Sequence, residues 1–180
     1  TNQINNYRPI EITGNVTNAP DEEDLTSNDN NLLQLKDRNA LNGMGYIILR
    51  QNKTFEEQLT QSNTIYEIRY DFDLNDEEVT IPDNCILDFR GGSFKNGTLI
   101  GNKTKISGIL TYSIFNNTVI KNFDLPYIDI RWTGAVSDYN GTTGTCCADA
   151  IKDAVYNIQM NHVGTCLYVC GNYHISKTVE

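Results

Sequence analysis

Alanine, basic charge and long apolar runs are all in short supply in this 180-residue chain. Six Ala stand against 23 Asn, 19 Ile, 18 Thr and 13 Gly, so β-branched and turn-forming residues outnumber the best helix former, which excludes an all-helical fold. Fourteen Lys plus Arg face 23 Asp plus Glu, a net charge of -9, and no stretch gathers enough cations to neutralise a run of phosphates. Nucleic acid is therefore not an expected partner. Runs such as Tyr46-Ile47-Ile48-Leu49 fall far short of the roughly 18 apolar residues a membrane span needs, and no span is expected. The chain is long enough for one or two modest cores, not for a multidomain enzyme.

Five cysteines leave at least one unpaired, and Cys166 and Cys170 lie about 13 Å apart along one strand-like run, so a disulfide scaffold is not expected. Cys146, Cys147, Cys166, Cys170 and His174 lack the CxxC knuckle of a zinc site, which leaves reduced, mostly buried thiols as the expectation. Asp71-Phe72-Asp73-Leu74-Asn75 opens like a calcium loop, but Asp76 stands where the turn needs glycine and Pro82 where the bidentate glutamate belongs. Neither metal nor cofactor is expected.

Residues 1–42 hold short apolar groups separated by Asn, Asp, Pro and Gly, with the acidic run Asp21-Glu22-Glu23-Asp24 between them. Such a stretch cannot bury enough surface to fold alone. Its Leu33-Gln34-Leu35-Lys36 alternation predicts a strand that adds to another surface, and Leu25, Leu32, Leu33, Leu35 and Arg38 are the expected attachment or oligomer-interface residues. Residues 43–78 read as a small α+β cap. Strands are expected at Tyr46–Leu49 and Thr64–Tyr70, with a helical turn after Thr54, whose hydroxyl and Glu57 form a capping-box pattern.

Residues 79–132 carry an internal repeat. Ser93 to Asn102 and Ser113 to Asn122 match at Ser, Asn, Thr, Ile and Asn with an offset of twenty, and the β-branched runs between are broken by Gly and Asn. That period predicts short coils of a parallel β-solenoid, with Asn96, Asn102, Asn116 and Asn122 stacked as an amide ladder at turns that accept φ > 0. In residues 133–180 a polar loop precedes Ala148, Ile151, Val155 and Ile158, one apolar stripe on a helix from about Cys147 to Met160, capped by Thr145 and ending near Gly164. Strands are expected at Thr165–Val169 and Tyr173–Val179. The strand-like end and a first residue that is Thr rather than Met make a segment of a longer chain the expectation.

The order Gly134-Ala135-x-x-Asp138, polar loop, Ala148-x-x-Ile151-x-x-Ala154 and Gly171-Asn-Tyr173-x-Ile175 resembles the opening of pectate-lyase-like right-handed β-helices. There a loop and an amphipathic helix cap the solenoid. Upstream, Asn18-Ala19-Pro20-Asp21, Leu33-Gln-Leu35-Lys-Asp-Arg38, Gly45-Tyr46-x-x-Leu49-Arg50 and Ile81-Pro82-x-Asn84 with Gly91-Gly92-x-x-x-Asn96-Gly97 are similar to the N-terminal part of fibre and spike proteins of phages that infect gut Bacteroidales, the crAss-like phages among them. The resemblance implies a mainly β fold in which an extended arm and small cap lead into a right-handed β-helix. It further implies a homotrimeric virion fibre, bound to capsid or tail proteins through residues 1–42, whose downstream part meets the host surface or its polysaccharide. A depolymerase spike or secreted β-helix enzyme with its active site beyond Glu180 is the alternative.

Within the chain the chemical candidates are few. Asp71 with Asp73 and Asp129 with Arg131 each sit two residues apart, on one strand face at about 7 Å, a spacing that ordinary strands produce freely. His174, between Tyr173 and Ile175, has no nucleophile motif beside it, and His162 is expected to help a helix C-terminus. Trp132 reads as core. No catalytic set is assigned.

Overall fold

The computed structural model of the chain describes residues 44–161 and 164–179. The arm residues Leu25, Leu32, Leu33, Leu35 and Arg38 and the helix-end residue His162 lie outside the described residues.

The chain folds into a β-solenoid in which each paired strand runs parallel to its neighbour, as the repeat predicts. One wall is built from β1 (Gly45–Ile48), β2 (Thr64–Ile68), β5 (Ile86–Phe89) and the second half of β6 (Phe94–Gly108). The other wall stacks β3 (Phe72–Asp73) and β4 (Glu78–Thr80) on the first half of β6, which in turn pairs with β7 (Phe115–Phe123). Parallel stacking begins at β1, within the stretch whose sequence reads as a cap. The short helix α1 (Phe55–Gln58) starts as expected, with Thr54 Oγ1 accepting from the Glu57 N–H (3.3 Å) and Glu57 accepting from the Thr54 N–H (2.9 Å).

Strand alternation sends equivalent apolar side chains inward, where they pile up coil on coil. Phe72, Phe94 and Phe115 are in register, and all three are buried. Phe89 meets Phe94 (6.1 Å) and Phe115 (5.7 Å) edge-on, while Phe55 of α1 covers Phe72 at 5.6 Å. Val79, Leu99 and Ile120 form a second buried column.

The stacking corrects the register of the repeat. Phe94 lies beside Phe115 and Leu99 beside Ile120, an offset of twenty-one, and the offset falls to nineteen where Thr104 meets Phe123. Burial decides this: an offset of twenty would set the buried Leu99 against the half-buried Val119 and leave the fully buried Ile120 against the half-exposed Ile100.

After β7 come β8 (Tyr127–Asp129), a 3-10 turn (Ile130–Thr133), helix α2 (Ala148–Gln159) and β9 (Cys166–Tyr168), which pairs with β8. Helix α2 is where it was expected, but its cap and its buried face differ. Cys147, not Thr145, occupies the N-cap and makes no side-chain capping bond; Thr145 is held by Asp138 instead. The buried face runs through Ala148, Ala150, Ala154 and Asn157, and Val155 is exposed, because small residues let the helix approach the solenoid closely. Tyr173–Val179 forms no strand, only a parallel bridge of His174 to Cys146.

Candidate functional site

The asparagines occupy the corners. Asn63, Asn84, Lys103 and Asn122 have φ of 53°, 54°, 55° and 60°, one in each successive coil. At the other corner Asp76, Asn96 and Asn117 have φ of 61°, 54° and 51°. Left-handed backbone is costly for L-residues, and the short polar side chain of Asn or Asp lowers that cost by bonding locally. Amide-to-amide bonds link the coils: Asn84 donates to Asn63 Oδ1 (2.7 Å) and Asn117 donates to Asn96 Oδ1 (3.3 Å).

These amide bonds join a different set of residues from the expected Asn96, Asn102, Asn116 and Asn122. Asn96 takes part, but its partner is Asn117 rather than Asn116, for the register reason given above. Asn116 instead donates to Ser93 Oγ (3.4 Å), which donates to Asp71 (2.7 Å), a separate polar column. Asn122 holds a left-handed corner, whereas Asn102 lends its backbone carbonyl to the Asn84 N–H (2.8 Å) and leaves that conformation to Lys103.

The carboxylates of the candidate pairs are engaged structurally. Asp73 accepts from the Asn75 N–H (3.0 Å), which with Asn96 and Lys95 holds its carboxyl below the usual range. Asp129 is 2 % exposed and accepts from the backbone and guanidinium of Arg131, whose own pKa that bond raises. Glu67 pairs with Arg69 and Asp88 with Arg90, and Glu67 and Asp88 are neighbours in the wall. These pairs repeat two residues apart along strands, so they read as ion pairs that let a carboxylate stay buried at the wall.

Downstream, Asp138 accepts from the Thr145 hydroxyl (2.7 Å) and N–H (2.9 Å), which keeps its carboxyl below the usual range and closes the polar loop. His174 stacks on Tyr139 at 5.5 Å. All five cysteines are free, but only Cys85 and Cys147 are buried; Cys166 and Cys170 are exposed because β9 has no strand on its far side among the described residues. Among the described residues no three His, Cys, Asp or Glu side chains stand close enough to hold a metal ion, and no helix is long and apolar enough to cross a membrane. Trp132 is core, 3 % exposed, with Nε1 donating to the Leu110 carbonyl (3.1 Å).

Two features escaped sequence reasoning. The first is Asn157, fully buried on α2: its Oδ1 accepts from the Ile120 N–H (2.9 Å) and its Nδ2 donates to the Thr118 carbonyl (3.2 Å). One turn on, Asn161 repeats the arrangement with the Phe123 N–H (2.7 Å) and the Ile120 carbonyl (2.9 Å). An amide at i and i+4 facing a strand edge was the available signal. The second is a cleft of about 800 Å3 between α1 and the β3/β4 edge, floored by Phe55, Leu59, Phe72 and Val79.

Comparison with family models, curated proteins and solved structures gave no match to this chain.

Proposed function

We propose that the chain is a structural segment of a trimeric phage virion fibre, in which residues 1–42 attach the fibre to the capsid or tail and the solenoid begins its shaft, for adhesion to the host surface. The observation that carries this reading is the repetition of equivalent residues coil on coil: a phenylalanine column inside and asparagine corners outside. Such a stack makes a stiff spacer from nearest-neighbour contacts alone, which is the mechanical task of a shaft. The carboxylates of Asp73, Asp88 and Asp129 are engaged in ion pairs with Lys95, Arg90 and Arg131, a structural use of their charge. The resemblance of Asn18–Asp21, Gly45–Arg50 and Gly91–Gly97 to fibre proteins points the same way.

The test is deletion of residues 1–42 followed by measurement of fibre incorporation into particles. Loss of incorporation is expected, and unchanged incorporation overturns the attachment role. Light scattering of residues 1–180 should give about three chains, and a monomer at all concentrations overturns the trimer.

A further inference from the structure

The two edges of the β3/β4/β6/β7 wall are finished differently. At the far edge Asn157 of α2 and Asn161 just beyond its end bond to the backbone of β7, so that edge is closed to another strand. At the near edge, among the described residues, only Gln51 does comparable work, donating from Nε2 to the Asp71 carbonyl (3.1 Å). Beyond it, the Ile81 N–H goes to Ile100 (2.8 Å) and the Thr98 N–H to Glu77 (2.9 Å), so residues 77 and 81 turn their backbone groups toward β6. Alternation along the strand then turns the N–H and C=O of Glu78 and Thr80 the other way, and among the described residues no backbone group pairs with them. They open onto the cleft of about 800 Å3, whose size is that of a ligand site and whose floor is apolar.

The charge on the rim narrows the occupant. Asp73 and Glu78 are paired with Lys95 (3.3 Å) and Lys121 (2.8 Å), and among the described residues lining the cleft Glu56, Asp71 and Glu77 outnumber the one further cation, Lys53. An apolar floor beneath an open strand edge and a net acidic rim call for an extended segment with alternating apolar and basic side chains. We propose that this cleft is a strand-acceptor site, in which a basic extended polypeptide from a partner protein pairs with the backbone of Glu78 and Thr80 and lays its apolar side chains on Phe55, Leu59 and Val79. The partner's backbone would do at this edge what the side chains of Asn157 and Asn161 do at the other.

The probe is a labelled heptapeptide of alternating lysine and valine, titrated against the full chain by fluorescence anisotropy. Its controls are the same peptide with glutamate for lysine and a version N-methylated at alternate residues, which removes one edge of backbone donors. Thr80→Pro deletes only a donor that faces the cleft, since Val79 and Ile81 carry the ladder to β6. The double variant Glu56→Lys with Glu77→Lys reverses rim charge at two exposed positions. Saturable binding of the lysine peptide is expected, weakened at least about tenfold by N-methylation, by Thr80→Pro or by the charge reversal, and absent for the glutamate peptide. No saturation up to about 1 mM overturns the proposal, as does equal binding of the N-methylated peptide, a readout on the unaltered chain that holds even if Thr80→Pro fails to fold. Self-association that Thr80→Pro abolishes would assign the edge to a second copy and overturn it too.

Discussion

Asn157 completes Ile120: the side-chain amide of a helix residue takes the place that the next strand's backbone would occupy, accepting from the Ile120 N–H at 2.9 Å while donating to Thr118 at 3.2 Å. Because both backbone groups are buried under the helix, replacing Asn157 with Leu strands one donor and one acceptor. Asn157→Leu should cost about 2–4 kcal/mol in urea unfolding and increase aggregation through the freed β7 edge. A cost below about 0.5 kcal/mol would show that water replaces the amide without penalty.

Lys103 is the one residue of its corner column that is not asparagine, at φ 55°. Its side chain gains nothing from that conformation, so Lys103→Asn should raise stability by about 0.5–1 kcal/mol, whereas Lys103→Ala should not. The comparison is a shift in denaturation midpoint at constant slope.

Phe94 sits in the middle of the aromatic column, stacked on Phe72 at 5.7 Å and met edge-on by Phe89. Truncation to Ala should cost about 3–5 kcal/mol, and Phe94→Leu less than half as much, since part of the volume is kept. Equal costs for the two would mean that the rings contribute through shape, not through volume.

Cys146 is the thiol to watch as pH changes. Hydrogen bonds from Ser176, then from the Ala148 N–H at the start of α2, lower its pKa to about 7, while burial pushes Cys85 up. A lowered thiol pKa means thiolate at lower pH, so iodoacetamide should modify Cys146 with a rate that rises through about pH 7, with Cys85 reacting last. Ser176→Ala should move the rise upward. Peptide mapping after timed alkylation reads both, and a Cys146 profile centred near 8.5, like a free thiol, would count against the Ser176 contact.

How much was legible depended on which atoms carry the signal. The parallel coils were readable because Asn and Gly recur where the chain must turn through left-handed backbone, a constraint on single residues that leaves a mark in composition. The register was not, because the visible identities, Ser93 with Ser113 and Asn96 with Asn116, lie on polar faces that tolerate a shift. Phe94 and Phe115 set the alignment, and they match only when one residue is skipped. Helix α2 was legible as a period of apolar residues, but its rotation was not: the buried Asn157 scores as polar until its two backbone partners are known. The cleft beside β3 and β4 left no trace, since it is shaped by how α1 and the strand edge come together and not by a local pattern.

Strand β6 runs from one wall to the other as one continuous element, bending at Gly101, where a Cβ would press on Thr104 and Phe123, and at the left-handed Lys103. It is hydrogen-bonded to β3, β4 and β7 before the bend and to β5 after it. A pull on either wall is therefore transmitted through covalent backbone to the other. Under load the two walls should yield together, which single-molecule pulling would read as one rupture event and not two.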